Sequence, residues 1–384
     1  MRREDSEAML EASKASICED CGLETAFAPF CIRCGHRQHE PVPAAAKRRY
    51  SADPDEKALS VHVISTLFPQ LPRDDLAAFR MALLVGVGAV VALALLGLYP
   101  VAVVAAAALV PLVMVIYLYD VDLYEDEPLR VYALTFAWGA LAGAALGLLL
   151  RATVQVDPLG PGPDGGFILL RGVVVPLLSV ALMLVGPLVL LPYRRFNDVL
   201  DGASFGATSA VAFVGAQVIA QSIDLFGAGL RPGGDSLLWI ARLLTHGVGL
   251  PLVAAGAVGA VCGALWLRYR APVRDRARLG PLGRPLVALI GGAALYVAAV
   301  LSLLLLREIL ALAAVSLLAL VALVWLRMVI HLGLLQESME ILIGDPIVCT
   351  NCHHSTLTHT FCGNCGVALR ALPKDLRRGR AVET

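Results

Sequence analysis

Eight of the nine cysteines form two clusters of identical spacing, one toward each end of the 384-residue chain. The first cluster contains Cys18, Cys21, Cys31 and Cys34, and the second contains Cys349, Cys352, Cys362 and Cys365. Both follow C-x2-C-x9-C-x2-C, with Phe before the third cysteine and Gly after the fourth. Two C-x2-C turns can aim four thiolates at one ion, and a tetrahedral sulfur shell favours Zn²⁺ over harder cations. We therefore predict one structural zinc in each cluster and two per chain.

The two modules, residues 18–36 and 349–366, resemble short zinc ribbons and are too small to bury a core. Metal binding should therefore supply most of their folding free energy. Two disulfides in each cluster are an alternative that uses the same sulfur atoms. The imidazoles of His36, His353 and His354 lie close enough in sequence to replace a cysteine ligand. The ninth cysteine, Cys262, lies in an apolar segment and is expected to be a small packing residue.

Zinc bound by four cysteines requires reduced thiols, which are typical of the cytosol. We therefore expect both ends of the chain to be cytoplasmic and the number of membrane spans between them to be even.

The segment between the clusters is strongly apolar, and this decides the structural class. Apolar types make up 58% of the chain and charged types only 16%, compared with about 25% in soluble domains. Mean hydropathy is +0.74. Eight continuous apolar blocks have the length that crosses a bilayer. They are 81–98, 101–119, 131–150, 168–191, 203–222, 237–267, 286–306 and 309–330. This pattern excludes a soluble enzyme, a disordered protein and a secreted disulfide miniprotein, and continuous blocks argue against a β-barrel.

The predicted fold is an all-α polytopic membrane protein with about eight transmembrane helices, flanked by two small four-cysteine zinc ribbons. The domain order is a polar tail (1–17), a ribbon (18–36), a linker with an interfacial segment (37–80), the membrane domain (81–335), a ribbon (349–366) and a basic tail (367–384).

Glycines recur every four residues in several spans, as at Gly139, Gly143 and Gly147. Such stripes let helices approach closely, and packing within one bundle is favoured over a dimer interface.

Loop charges give the orientation independently of the cysteines. If the N-terminus is inside, the inner loops contain most of the arginines, and the short outer loops contain few, such as Arg231 and Arg307. This is the positive-inside pattern. We predict a multi-pass protein of the inner cell membrane with both termini cytoplasmic.

Lys plus Arg equals Asp plus Glu, at 31 each, so no nucleic-acid partner is expected. The expected partners are the lipid bilayer and a protein in the membrane or cytosol.

An acidic segment, 120–128, precedes span three, and span five begins with Phe-Asn-Asp-Val-Leu-Asp-Gly at 196–202. The stretch from about 120 to 330 resembles the PrsW-type intramembrane metalloprotease family. In that family an acidic loop precedes a phrase of the form F-D-D-P-x-D-G-x-x-Y-G. The residues that match or nearly match this phrase are Asp198, Asp201, Gly202, Phe205 and Gly206. The resemblance implies a PrsW-like membrane fold.

The resemblance also implies where catalytic groups would lie, and this chain departs from the family there. The family's Glu-Glu pair falls near Ser179, and its later Glu falls on Gln217. His246 lies near the first family His. Ser and Gln are poor zinc ligands, and one His does not hold a catalytic metal. Taken alone, His246 is expected to be a neutral residue bonded to Thr245 or Gln217 inside the bundle.

These observations predict a catalytically inactive membrane scaffold or binding protein, with the zinc ribbons as docking modules. The alternative is an active intramembrane metalloprotease that uses His246 with Asp198 or Asp201. A second alternative is a small-solute transporter.

Overall fold

The computed structural model of the chain describes residues 15–19, 21–39, 77–122, 129–153, 165–227, 229, 235–271, 280–338, 343–349, 352–366 and 369. The predicted interfacial segment lies outside these residues. So do most of the linker, most of the acidic loop and nearly all of the basic tail.

Nine helices and four strands occur among the described residues. The helices are α1 Ala77–Leu95, α2 Tyr99–Asp122, α3 Leu129–Thr153, α4 Gly165–Leu190, α5 Val199–Gln221, α6 Ile223–Gly227, α7 Ser236–Tyr269, α8 Pro285–Leu305 and α9 Glu308–Ser338. The strands are β1 Ala15–Ile17, β2 Glu24–Ala26, β3 Pro346–Val348 and β4 Ser355–Leu357. Each predicted span coincides with one helix to within a few residues at its start, so the polytopic helical fold is confirmed.

Seven of these helices are long and apolar enough to cross a membrane, and α1 has a shorter apolar part, Arg80–Leu95. At 1.5 Å per residue the 19 residues of α1 extend about 28 Å, close to the thickness of a hydrocarbon core. A tight turn with Gly97 at φ 75° then reverses the chain into α2. Glycine suits this turn because a side chain would be strained at positive φ.

The start of α5 is fixed by its own carboxylates. Asp198 is the N-cap, and it forms a reciprocal capping box with Asp201. The Asp198 N–H donates to Oδ2 of Asp201 at 3.2 Å. Such a box satisfies N–H groups that have no partner within the helix. The two aspartates of the family-like phrase thus have a local structural role in this chain.

Glycine stripes allow α5 and α7 to form the centre of the bundle. A Cβ on Gly139 or Gly143 of α3 would overlap the main chain of Ser209 or Phe213 on α5. On the opposite side, a Cβ on Gly202 would lie 2.7 Å from the Trp266 ring of α7. In both α5 and α7, 83% of the apolar segment is buried inside the bundle, compared with 22% in α8. The prediction that the stripes pack within one bundle is confirmed.

The helices alternate in direction, which defines two ends of the bundle. The end where α9 finishes and continues toward β3 is called the ribbon end. The opposite end, at the α8–α9 turn of Leu306 and Arg307, is called the far end. Cys262 of α7 is fully buried against Gly206 of α5, as expected of a packing residue.

Candidate metal centre

In each cluster the four sulfur atoms converge on one point. All four lie within 4.8 Å of one another, in both clusters. The Sγ atoms of Cys18 and Cys34 are 3.6 Å apart, and those of Cys21 and Cys31 are 3.9 Å apart. In the second cluster, two separations of 3.8 Å are found. Four sulfurs bound tetrahedrally at 2.3 Å would be about 3.8 Å apart, so the donor set fits a zinc ion.

Local backbone geometry, set by the C-x2-C spacing, produces this convergence. Each C-x2-C pair forms a turn in which the N–H of the residue four positions after its first cysteine donates to that cysteine's carbonyl oxygen. Gly22 and His353 do so at 2.9 and 2.8 Å in the first turn of each ribbon. Gly35 and Gly366 do so at 2.9 and 2.8 Å in the second. All four residues have φ between 58° and 76°. Three of them are glycines, which accept this conformation without strain.

Within one cluster, hydrogen bonds between thiols favour ionisation of one cysteine at the expense of its neighbour. A hydrogen bond from Cys34 lowers the pKa of the Cys31 thiol to about 4, and the same bond raises the pKa of Cys34 above its usual range. Burial raises the pKa of Cys21 to about 11. In the other ribbon a hydrogen bond with Cys352 lowers the pKa of Cys349. A bound divalent cation would stabilise all four thiolates at once.

The alternatives to a four-sulfur site are not supported. All nine cysteines are free thiols, so the disulfide interpretation is wrong for this structure. None of the three nearby histidines belongs to either group of converging donors among the described residues. Nδ1 of His354 is 2.7 Å from the carbonyl oxygen of Cys352, and His354 is exposed.

The two ribbons are joined to each other, which sequence analysis did not predict. The Phe30 N–H donates to the carbonyl oxygen of Gly363 at 2.8 Å, and the Phe361 N–H donates to that of Ile32 at 2.9 Å. Phe361 and Gly363 occupy the same positions in the second ribbon as Phe30 and Ile32 do in the first. Each bond is therefore the counterpart of the other, and the contact has approximate twofold symmetry. His359, only 3% exposed, places Nδ1 3.0 Å from the Ile32 oxygen. We call the two joined modules, residues 18–36 and 349–366, the ribbon pair.

The joined ribbons constrain the membrane topology. Because neither ribbon can remain in contact with the other across a bilayer, both must lie on one side. An even number of crossings would then separate them. Among the described residues seven helices are candidate spans, so this number requires that α1 crosses as well.

The three positions predicted to correspond to a catalytic site have different surroundings. Ser179 is buried in α4, and its hydroxyl donates to the Val175 carbonyl oxygen at 2.9 Å. Gln217 lies on the face of α5 that contacts α3, where a Cβ on Gly147 would lie 2.9 Å from its carbonyl oxygen. His246 instead lies on an exposed side of α7, facing α8 and α9.

The expected hydrogen bond from His246 to Thr245 or Gln217 does not occur among the described residues, and the His246 side chain is exposed at the side of α7. The Thr245 hydroxyl donates to the carbonyl oxygen of Ala241. His246 lines a cavity of about 220 Å³ together with Arg242, Glu308 and apolar side chains. We call this the far-end cavity.

The protease alternative with relocated ligands is also opposed by the geometry. Asp201 precedes Gly202, which packs against Trp266 of α7. Trp266 lies 20 residues after His246 on the same helix, so the aspartate is about 30 Å from His246 along the axis. Asp201 is 4% exposed and caps its own helix.

No protein-family model, curated protein or solved structure matches this chain.

Two basic side chains within the membrane helices are not among the residues predicted above. Arg327 of α9 is 1% exposed, and the sequence signal was a charged residue in an apolar block. Arg171 of α4 is half-buried within a π-helical turn, Leu170–Val174. A second π-helical turn, Thr245–Gly249, contains His246. Such turns are frequent at functional sites and have no simple sequence signature.

Proposed function

We propose that this protein is a membrane-embedded binding protein, catalytically silent and of PrsW-like fold. In this proposal the ribbon pair is a zinc-stabilised docking platform on the cytoplasmic face of the inner cell membrane. The observation that carries the proposal is the direct contact between the ribbons. Two modules from opposite ends of the chain form one folded unit.

The chemistry of the donors supports structural zinc in the platform. Eight thiols in two tetrahedral sets leave no open coordination position, and closed sites of this kind stabilise folds instead of activating water. Thiols that must stay reduced suit the cytosol, which supports the orientation given by the loop arginines.

The surface of the N-terminal ribbon supports docking. Ile17 is 72% exposed and Phe27 is 51% exposed. Exposed apolar side chains on a small module stapled by metal contribute nothing to a core of its own. They are typical of a surface that contacts another protein. The partner we propose is therefore a protein that presents an apolar patch at the cytoplasmic membrane surface.

The membrane domain supports the absence of catalysis. Among the described residues, the eight ribbon cysteines form the only groups of three or more His, Cys, Asp or Glu side chains close enough to hold a metal. A hydrolytic zinc site needs three protein ligands and a carboxylate base. His246 belongs to no such group among the described residues, which supports a non-catalytic role for the membrane domain.

Metal counting and a cleavage assay test the catalytic part of this proposal. Purified protein should contain two zinc ions per chain and leave membrane-embedded test substrates intact. A third zinc per chain would contradict the proposal. So would metal-dependent cleavage that disappears in His246→Ala.

Crosslinking in intact cells tests the docking part. A photo-reactive amino acid at Phe27 should give a defined protein adduct. The same probe at Leu141, a 71% exposed position on membrane helix α3, is the matched control. The adduct at Phe27 should disappear in Cys31→Ser, which removes a zinc ligand. An adduct that persists in Cys31→Ser, or that forms equally at Leu141, would exclude the ribbon pair as the docking surface.

A further inference from the structure

The far-end cavity combines charged and apolar walls where three membrane helices meet. Arg242, Thr245 and His246 of α7 face Glu308 and Ala311 of α9, with Leu303 and Leu306 from the end of α8. Its volume is about 220 Å³, below the roughly 300–1,000 Å³ of sites for drug-sized ligands. This volume is enough for a small polar group.

The cavity lies at the level of the membrane interface. Helix α8 has 21 residues and extends about 31 Å, which matches the hydrocarbon core from one face to the other. The cavity is located where α8 ends and α9 begins. Nearby, the rings of Tyr99 and Trp239 stack with centroids 4.6 Å apart, and such aromatic residues are enriched at the bilayer interface.

The ion pair in the cavity leaves binding groups available. Both Nε and Nη2 of Arg242 donate to the same oxygen, Oε1 of Glu308, the first at 2.9 Å. No other described side chain donates to Oε2 of Glu308 or accepts from Nη1 of Arg242. The imidazole of His246 likewise has no hydrogen bond to another described residue. The cavity therefore offers a cationic group, an imidazole and a carboxylate oxygen side by side.

The surroundings of the cavity are apolar. Leu305 is 58% exposed, and Ile309 and Leu310 are 57% and 59% exposed. These side chains lie on the bundle surface beside the α8–α9 turn and would face hydrocarbon in a bilayer. An occupant that reaches the charged groups from this side must have both an apolar part and a headgroup with charges of both signs.

We propose that the far-end cavity binds the headgroup of an amine-bearing phospholipid, of which phosphatidylethanolamine is the simplest. Arg242 and His246 bind the phosphate, and Oε2 of Glu308 accepts hydrogen bonds from the ammonium group. The apolar walls contact the first carbons of the acyl chains. A choline headgroup has no N–H to donate to Glu308, and a glycerol headgroup has no cation.

Two π-helical turns fit this arrangement. The turn Thr245–Gly249 lies on one side of the end of α8, where His246 meets Leu303 and Leu306. The turn Leu170–Val174 lies on another side, where a Cβ on Gly172 would overlap the Leu301 side chain. Each turn presents a basic residue beside the same helix end, and anionic phosphate is attracted there.

The experiment measures lipid binding to the intact zinc-loaded protein by native mass spectrometry from detergent micelles. The probes are phosphatidylethanolamine, phosphatidylcholine and phosphatidylglycerol with identical acyl chains. Wild type should retain phosphatidylethanolamine most tightly. Arg242→Gln and Glu308→Gln should each weaken that binding about ten-fold, since each removes one charge-assisted contact.

A matched control is available in a second ion pair at the far end. Arg151 donates to Asp224, and both side chains are exposed, but they do not line the cavity. Arg151→Gln should leave phosphatidylethanolamine binding unchanged. The charge swap Arg242→Glu with Glu308→Arg keeps an ion pair in the cavity and should still lose the selectivity. Zinc content of two per chain verifies that each variant is folded at its ribbons.

Three results would overturn the proposal. The first is equal binding of phosphatidylethanolamine and phosphatidylcholine, which would mean that Glu308 does not contact the ammonium group. The second is equal weakening by Arg151→Gln, which would indicate nonspecific surface charge. The third is equally tight binding of glycerophosphoethanolamine, which has no acyl chains, because the occupant would then be a soluble phosphoester.

Discussion

The two ribbons are the same module used twice, and comparing them separates what the module requires from what it tolerates. Each residue of the second ribbon lies 331 positions after its counterpart, as Cys349 does after Cys18. Hydrogen bonds correspond as well as ligands. The Ile32 N–H donates to Oγ1 of Thr25, and the Gly363 N–H donates to Oγ1 of Thr356.

Some corresponding bonds are made by different residue types. Nε of Arg33 donates to the Glu24 carbonyl oxygen at 2.9 Å. Nδ2 of Asn364 donates to that of Ser355, also at 2.9 Å. Because the acceptor is a backbone oxygen, the bond requires only a donor of suitable length. Ligand positions and buried hydroxyls are thus fixed, whereas exposed donors vary.

Two of the positions at which the ribbons differ affect the backbone or the contact between the ribbons. At the first turn, Gly22 corresponds to His353, and both have positive φ. At the contact between ribbons, Ile32 corresponds to Gly363, beside which a Cβ would lie only 2.9 Å from the Ala28 Cβ. The ribbon pair therefore has one large and one small residue facing each other, and their volumes are complementary.

Removing one ligand should have the largest effect. Cys31→Ser and Cys362→Ser should each lower the zinc content from two per chain to one or fewer. Structural zinc contributes roughly 10–16 kcal/mol to folding in such modules. Metal analysis of purified protein measures this, and Cys262→Ser, within the bundle, should retain both ions. If the ribbons stabilise each other, the remaining zinc should also be released faster to a chelator.

Unchanged release from the remaining site would show that the contact between ribbons transmits no stability. Two ions retained in either ligand variant would contradict the four-sulfur assignment.

Filling the small position in the contact should have the next largest effect. Gly363→Val would place a branched side chain against Ala28 and should cost about 3 kcal/mol by overpacking. Its counterpart Ile32→Val removes one methylene and should cost about 1 kcal/mol. Thermal unfolding of the zinc-loaded protein, followed by zinc release, compares them. Equal costs at the two positions would mean that the contact does not exist as described.

Removing the buried hydroxyls should have an intermediate effect. Thr356→Val leaves the buried Gly363 N–H without its acceptor, at a cost of about 1–2 kcal/mol. Thr25→Val should cost less, because the bond to Oγ1 is longer, at 3.4 Å compared with 3.0 Å. The chelator concentration that removes half of the zinc from each site measures the difference. Equal sensitivity of both sites would argue that these hydroxyls do not matter.

The exchange at the first turn should have the smallest effect. His353→Gly should stabilise the C-terminal ribbon by about 1 kcal/mol, since a left-handed conformation is strained for residues with a Cβ. Gly22→Ala should destabilise the N-terminal ribbon by a similar amount. Slower zinc release in the first variant and faster release in the second are expected. A His353→Gly ribbon that releases zinc faster would show that the imidazole has a stabilising contact.

Much of this architecture could be predicted because its signals are local. The eight ligands follow from two short spacings, since each C-x2-C turn closes on itself. The helices follow from continuous apolar blocks, since a bilayer requires every backbone hydrogen bond to be made within a segment. Even the far-end turn was marked by Arg307 and Glu308 between two apolar runs.

The surroundings of His246 could not be predicted in this way. Its depth in the membrane was predictable from its position in the helix. Whether it faced Gln217, lipid or a cavity depended on the rotation of α7 against α8 and α9. A π-helical turn at Thr245–Gly249 changes that rotation, and it is invisible to a pattern of period 3.6.

Short-range patterns in the sequence are enough to predict which sulfur atoms can hold a metal ion and which segments are apolar enough to cross a membrane, because both depend on neighbours a few residues apart. The contact between the ribbons and the cavity shared by Arg242, His246 and Glu308 are visible only in the folded chain. Those contacts link residues from 62 to more than 300 positions apart. They exist because the packing of the whole chain brings them together, and no local preference encodes that packing.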